Sequence, residues 1–164
     1  QTNTTPIYRR TFSADYFRYD RATKQIRPLS EGGAQTSPLF SPDSRHVAFV
    51  RDNNLHLVSL ADGRETAVTT DGERNAIING LPDWVYEEEF STARSFEFTA
   101  DGRFLCWLRY DESRVPIYKM TMYKGLKPEL EENDAYPGSY DYKYPVAGEV
   151  NSVVTLHRYD LTSV

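Results

Sequence analysis

Three consecutive carboxylates, Glu87, Glu88 and Glu89, stand among large apolar side chains in residues 80–90. Trp84 and Tyr86 lie just before them, whereas solvated acidic runs are usually surrounded by Lys, Ser and Gly. Charged groups in an apolar setting are often found at functional sites. The pattern therefore predicts that these carboxylates face a cavity rather than open water.

The local sequence predicts a short helical insertion at residues 81–90. Pro82 suits the first turn of a helix, where a missing N–H has no intrahelical partner to lose. On a strand, Glu88 and Glu89 would point to opposite faces, but on a helical turn they are roughly 100° apart. A helix would thus allow the two carboxylates to converge on one group.

Two converging carboxylates could bind a cation, a metal ion or a shared proton. A metal site would need further ligands, and His46, His56 and His157 all lie within strand patterns. An ammonium group fits better, because each carboxylate at about 4 Å attracts it by roughly 4 kcal/mol before desolvation. We predict neither a metal nor a cofactor. The alternative is that the glutamates only solvate a loop.

A second candidate group lies near the start of the chain, where Arg9 and Arg10 follow Tyr8. An arginine facing the acidic pocket could donate hydrogen bonds to a substrate carbonyl and stabilise the neighbouring carboxylates. Either arginine could do so on sequence alone, and a solvated arginine is the alternative.

Repeated strand-and-turn patterns predict the elements that position these groups. Residues 16–23, 55–64 and 156–163 resemble one another, and two further turns each precede an apolar strand. Four short strands in roughly 40 to 45 residues are typical of a propeller blade. One blade is predicted at residues 38–41, 46–51, 54–60 and 65–69. A second is predicted at residues 95–99, 103–110 and 116–123, resuming at 152–159.

The predicted fold class is therefore all-β, a partial β-propeller of about two full and two partial blades with the helical insertion at 81–90. Residues 8–29 are expected to supply only the outer part of one blade. Residues 125–148 are expected to form a surface excursion. Unclosed blades leave strand edges unpaired, so we also expect homo-oligomers.

Composition excludes several classes of protein. The net charge is −5 and no Lys/Arg stripe is present, which argues against a nucleic-acid partner. No apolar run approaches the roughly 20 residues that a membrane helix needs. Cys106 is the single cysteine, so an intramolecular disulfide is excluded, and we expect it to be a small buried apolar residue.

The residues 83–89, Asp-Trp-Val-Tyr-Glu-Glu-Glu, resemble the double-glutamate motif of the dipeptidyl-peptidase IV branch of the prolyl oligopeptidase family of serine peptidases. The likeness extends to residues 9–14, 41–43 and 144–148. It implies that Glu88 and Glu89 bind the N-terminal ammonium of a peptide or protein substrate. It also implies that Arg9 contacts the carbonyl of the first substrate residue, and that Xaa-Pro or Xaa-Ala dipeptides are released.

The family's chemistry needs a Ser-Asp-His triad on a C-terminal α/β-hydrolase domain, with the Ser in a Gly-x-Ser-x-Gly turn. Residues 1–164 contain no such motif, so we expect them to be a fragment of the N-terminal propeller domain that recognises substrate without cleaving it. The resemblance implies a periplasmic, secreted or membrane-anchored location. The alternative is a non-catalytic propeller that serves as a binding scaffold, and the sequence after Val164 would distinguish the two.

Overall fold

The computed structural model describes residues 1–123 and 136–163. Its first sheet contains the predicted blade as an antiparallel meander: β5 (Gln35–Phe40), β6 (His46–Arg51), β7 (Asn54–Ser59) and β8 (Glu65–Ala67). Asp52 and Asn53 both adopt positive φ in the tight turn between β6 and β7, a conformation that Asp and Asn tolerate better than other residues with a side chain. The alternation of Val, Ala, Phe and Leu in β6 and β7 fills both faces of this sheet.

The start of the chain differs from the prediction that residues 8–29 supply only the outer part of one blade. β1 (Thr2–Pro6) and β2 (Phe12–Asp15) extend the first sheet to six strands, and Ser13 pairs with Thr36 of β5. β3 (Phe17–Tyr19) and β4 (Ile26–Pro28) form a separate hairpin. The prediction was wrong for β2, because it lies directly beside β5 and continues its hydrogen-bond ladder.

The second sheet has the order β10 (Phe96–Phe98), β11 (Phe104–Asp111), β14 (Val153–Asp160). β9 (Ile77–Asn79) pairs with the far end of β11. The predicted third strand at residues 116–123 does not join this sheet, because β14 pairs with β11 along its whole length, from Phe104 opposite Asp160 to Asp111 opposite Val153.

Residues 116–123 belong instead to a separate hairpin. Its strands are β12 (Ile117–Met122) and β13 (Gly138–Lys143). The predicted excursion at 125–148 therefore includes a strand, while residues 124–135 lie outside the described part of the chain.

Helix α1 (Trp84–Phe90) lies between β9 and β10 and confirms the predicted helical insertion. A single 3₁₀ turn, Leu161–Ser163, follows β14. Among the described residues, no helix has the length and apolar character needed to cross a membrane.

The main core lies between the two sheets, under helix α1. It is built from buried side chains of β6, β7, β9, β10 and β11 and the segment before the helix: Ala48, Val50, Leu55, Leu57, Ile78, Leu81, Phe96, Phe98, Leu105, Trp107 and Tyr110. A smaller cluster on the other face of β6 contains Leu29, Val47, Phe49 and Val58. Cys106 is only partly buried, beside the buried Leu105 and Trp107 of β11.

Candidate functional site

The acidic helix begins at a well-formed N-cap. Asp83 has extended backbone angles, and its Oδ1 accepts a hydrogen bond from the Tyr86 N–H at 2.9 Å. This bond satisfies one of the free N–H groups of the first turn. Pro82 therefore precedes the cap instead of lying in the first turn as predicted. The other oxygen of Asp83 accepts from Ser152 Oγ at 2.6 Å, which ties the cap to the segment before β14.

Helix α1 is held on the core by aromatic contacts. The ring of Tyr86 packs edge-on against Tyr110 of β11, with centroids 5.0 Å apart and an interplanar angle of 79°. The Tyr110 hydroxyl lies 2.9 Å from Ser95 Oγ, and burial raises the pKa of Tyr110 to about 12. The helix ends at Ser91, which adopts a left-handed conformation and donates its N–H to the Tyr86 carbonyl. Tyr86 thus fixes one face of the helix on the second sheet.

Glu87 is the buried member of the acidic run, with 2% of its surface exposed. Its Oε1 accepts hydrogen bonds from the Arg10 N–H at 2.5 Å and the Thr11 N–H at 2.9 Å. Its Oε2 accepts from Thr11 Oγ1 at 2.8 Å. These three bonds compensate for removing the carboxylate from water. They also bring the loop after β1 against helix α1.

Glu88 pairs with an arginine of that loop. Arg9 Nη1 lies 2.5 Å from Glu88 Oε1, and the side chains are 65% and 17% exposed, respectively. The second oxygen, Oε2, is buried and has no hydrogen-bond partner among the described residues. A buried carboxylate oxygen without a partner is energetically costly and uncommon in folded proteins. This oxygen is therefore available to a donor from outside the described chain.

Aromatic rings pack around helix α1 on the side that faces residues 7–11, which we call the arginine loop. Trp84 packs edge-on against Tyr8 at 5.9 Å and against Tyr144 at 4.2 Å between ring centroids. Burial raises the pKa of the Tyr8 hydroxyl above its ordinary value, and the nearby Glu88 carboxylate raises it further. The Glu88 charge thus lies in a partly apolar setting.

The three predicted site residues, Arg9, Glu88 and Glu89, have different environments in the structure. Arg9 and Glu88 are in contact, whereas Glu89 is exposed and forms no ion pair or hydrogen bond with the described residues. Arg10 turns to the helix backbone, where its Nη1 donates to the Glu87 carbonyl at 2.8 Å. Between the two arginines that the sequence left open, it is Arg9 that contacts Glu88. The substrate-binding roles of Glu88, Glu89 and Arg9 stay predictions.

Comparison with known proteins decides the family. The model for "Dipeptidyl peptidase IV (DPP IV) N-terminal region" matches residues 1–164, the whole chain. The chain belongs to this family. The resemblance seen in the sequence is therefore confirmed.

Curated relatives of this DPP IV N-terminal region include two fungal proteins. The probable dipeptidyl-aminopeptidase B of Talaromyces marneffei is 39% identical over 168 residues, covering 97% of this chain and 18% of the relative. The dipeptidyl-aminopeptidase B of Aspergillus niger is 38% identical over 165 residues, covering 94% of this chain and 18% of the relative. The chain thus spans about a fifth of the length of these relatives.

Solved structures establish the fold. Dipeptidyl peptidase 4 of Porphyromonas gingivalis is 45% identical, with a TM-score of 0.88 over 99% of this chain and 22% of that one. A putative dipeptidyl aminopeptidase IV of Bacteroides ovatus is 20% identical with a TM-score of 0.62, covering 98% and 19%, and it supports the fold alone. The DPP IV N-terminal region described here is a partial β-propeller, as predicted.

Two cavities border helix α1 in this DPP IV N-terminal region. The larger, of about 500 Å³, is lined by Tyr86, Phe90 and strands β10 and β11, and includes none of the predicted site residues. The smaller, of about 160 Å³, is lined by Tyr8, Trp84, Glu87 and Glu112, among others. The smaller cavity lies on the side of the arginine loop, but Arg9, Glu88 and Glu89 line neither cavity, so the prediction that the acidic run faces a cavity holds for Glu87 only. Within the described ranges, no group of three or more His, Cys, Asp or Glu residues could hold a metal ion.

Sequence reasoning missed two contributors to this DPP IV N-terminal site. Glu87 was treated as part of the acidic run, but it is buried and binds the loop. Thr11, also buried, supplies two of its three hydrogen bonds. The one available signal was the Thr that directly follows the two arginines.

Proposed function

We propose that this chain is the substrate-recognition part of a dipeptidyl peptidase that removes Xaa-Pro or Xaa-Ala dipeptides from peptides with a free N-terminus. In this proposal Glu88 and Glu89 bind the N-terminal ammonium, and Arg9 binds the carbonyl oxygen of the first substrate residue. The names of the relatives, dipeptidyl-aminopeptidase B and dipeptidyl peptidase 4, support the reaction class.

The observation that carries the proposal is that the two carboxylate oxygens of Glu88 have different surroundings. Arg9 occupies one oxygen, while the other is buried without a partner in residues 1–123 and 136–163. An ammonium group has three N–H donors and no acceptor, so it can satisfy this oxygen and still bond to the neighbouring Glu89. A charged donor also compensates the charge of a partly buried carboxylate better than water does.

Arg9 can donate hydrogen bonds to Glu88 and to a substrate carbonyl oxygen at the same time. Its guanidinium carries five N–H donors in a planar fork, and its side chain is 65% exposed although it is paired with Glu88. The donors that Glu88 does not use can reach a carbonyl oxygen in front of the pocket. The pair would then fix both the first amino group and the first carbonyl of a substrate, which favours cleavage near an N-terminus.

The bond-breaking step needs groups that this sequence does not carry. Residues 1–164 contain no Gly-x-Ser-x-Gly motif, and the relatives are about five times as long. We propose that a Ser-Asp-His triad on an α/β-hydrolase domain of the same polypeptide performs it. The extracytoplasmic location and the self-association expected from the sequence stay predictions.

The test uses the full-length protein that carries this segment, with Gly-Pro-p-nitroanilide as substrate and its N-acetylated form as comparison. We expect hydrolysis of the free amine only. Glu88→Gln should lower kcat/KM by roughly ten-fold or more, as expected for a lost hydrogen bond to a charged group. The exposed Glu31 offers a matched control, since Glu31→Gln should have no effect. Equal cleavage of the acetylated substrate, or no cleavage of either, would reject the proposal, and the latter result would favour a non-catalytic scaffold.

A further inference from the structure

The buried carboxylate of Glu87 joins helix α1 to the loop that carries Arg9. Its two oxygens accept from two backbone N–H groups and one hydroxyl, all on Arg10 and Thr11. The partners are 76 or 77 residues away in the sequence. No ion pair to this carboxylate is present among the described residues. Glu87 is thus used as an acceptor for loop backbone rather than as a partner for a cation.

Arg10 strengthens the same junction from the other direction. Its Nη1 donates to the backbone carbonyl of Glu87 at 2.8 Å. Carbonyls in the last turn of a helix lack intrahelical donors, and a cation there also interacts favourably with the helix dipole. Helix α1 has only seven residues, so the carbonyl of Glu87, its central residue, is already one of the last four.

Two neighbouring pairs therefore link the same two segments. Arg10 and Thr11 bind Glu87, and the preceding Arg9 binds the following Glu88. The junction at Glu87 is buried, whereas the Arg9 side chain of the outer pair is 65% exposed. Exposed ion pairs contribute little, with typical values near 0–1 kcal/mol, so the outer pair alone holds the loop weakly. Buried hydrogen bonds to a charged acceptor are stronger and are costly to leave unmade.

We propose that Glu87 is a positioning residue that fixes the Arg9 loop on helix α1, so that Arg9 occupies one oxygen of Glu88 and leaves the other free for the substrate ammonium. The role in binding rests on the proposed function above. Glu87 itself faces the loop through both of its oxygens and does not contact the substrate in this arrangement.

Thr11 allows the anchor to be weakened without substituting Glu87, Glu88 or Arg9. Thr11→Val keeps the shape of the side chain but removes the hydroxyl that donates to Glu87 Oε2, and Thr11→Ser restores it. In the full-length protein, Thr11→Val should raise KM roughly ten-fold with kcat nearly unchanged, and Thr11→Ser should return KM close to wild type. Ser13→Ala, on the neighbouring strand β2, is the control and should leave both constants unchanged.

A double-mutant cycle tests whether the anchor acts through Arg9. If it does, Thr11→Val should add no further loss of kcat/KM in an Arg9→Ala background, because there is no guanidinium left to misplace. Additive effects in the cycle would overturn the positioning role and leave only a general structural one.

Hydrogen exchange supplies a readout that is independent of activity. The backbone amides of Arg10 and Thr11 should exchange roughly ten-fold faster in Thr11→Val and in Glu87→Gln, while the amide of Glu87, bonded to the Asp83 carbonyl at 3.0 Å, stays protected. Unchanged exchange in both variants would overturn the anchor whatever the kinetics show.

The kinetic outcomes separate the two proposals. If Glu88→Gln lowers kcat/KM but Thr11→Val does not, the positioning role is rejected and the proposed function stands. If neither variant affects kcat/KM, the proposed function fails, and the positioning role in binding fails with it.

Discussion

Ser152 Oγ donates a hydrogen bond of 2.6 Å to Asp83 Oδ2 and so joins the segment before β14 to the N-cap of helix α1 across 69 residues. The other oxygen of Asp83 caps the helix through the Tyr86 N–H. Asp83 is 6% exposed, so both bonds are formed largely away from water. One carboxylate therefore determines where the acidic helix begins and how it sits on the second sheet.

Removing this carboxylate should destabilise the protein. Loss of a helix N-cap costs about 1 kcal/mol, and the second hydrogen bond contributes a similar amount. We expect Asp83→Ala to lower the free energy of unfolding by about 2 kcal/mol and Ser152→Ala by about 1 kcal/mol. Chemical denaturation measures both. Ser13→Ala is the control, and an Asp83→Ala loss no larger than that of the control would contradict the capping role.

Gly80 offers a test of the turn that precedes the helix. Its φ is +80°, and a Cβ there would lie 3.1 Å from Val50 and 3.2 Å from Leu55 and Phe96. Gly80→Ala should therefore add overpacking of about 1–3 kcal/mol to a backbone cost of about 1–2 kcal/mol. Gly102 is the matched control, because its φ is +69° with nothing within 4 Å of a Cβ. We expect Gly102→Ala to show the backbone cost alone, and equal losses of unfolding free energy would contradict the packing argument.

Local features of the fold could be predicted from the sequence. Turn residues such as Asp52 and Asn53 mark the ends of strands, and Pro82 and Asp83 mark the start of a helix, since each acts on neighbouring backbone. Strand partners across long separations could not be predicted. The segments 116–123 and 152–159 both have strand-like patterns, and only the tertiary structure shows that the later one pairs with β11.

The candidate site was predictable in the same partial way. The acidic run and the Arg9–Arg10 stretch were identified by residue type, but nothing local shows that Glu87 is buried against Thr11, 76 residues away. Nor does helical spacing distinguish Glu88 from Glu89. Their different surroundings come from the loop that packs on one side of the helix.

The two glutamates should therefore contribute unequally to binding. Glu88 is 17% exposed, while Glu89 is exposed, and a charge removed from solvent interacts more strongly with its partner. If the proposed function holds, Glu88→Gln should lower kcat/KM by roughly ten-fold or more. Glu89→Gln should cost about 0.2–1 kcal/mol, as exposed ion pairs do, and its effect should shrink at high salt.

Steady-state kinetics of both variants at low and high ionic strength measure this difference. Equal losses in the two variants, with the same salt dependence, would contradict the unequal placement. Glu31→Gln, measured in parallel, corrects for the change in net charge.

Glu112 makes the free energy of unfolding of the protein depend on pH. Its side chain is 6% exposed, lies beside the cavity of about 160 Å³, and forms no hydrogen bond with described residues. Burial, and to a lesser extent the Asp83 carboxylate, raise the pKa of Glu112, the Lys143 ammonium lowers it, and the net result is a pKa of about 7. Lys143 itself donates to the carbonyls of Val115 at 2.7 Å and Ser113 at 3.2 Å.

The sign of the effect follows from this raised pKa. Below pH 4.5 the carboxyl is protonated in both folded and unfolded protein, and its contribution to stability is complete. As pH rises to about 7, the unfolded chain loses its proton first, so the contribution is lost. Since one pKa unit corresponds to about 1.4 kcal/mol, wild type should lose up to about 3 kcal/mol relative to Glu112→Gln between pH 5 and pH 8. Denaturation at both pH values measures it, with the exposed Glu149→Gln as control, and parallel pH profiles for wild type and Glu112→Gln would show that Glu112 titrates normally.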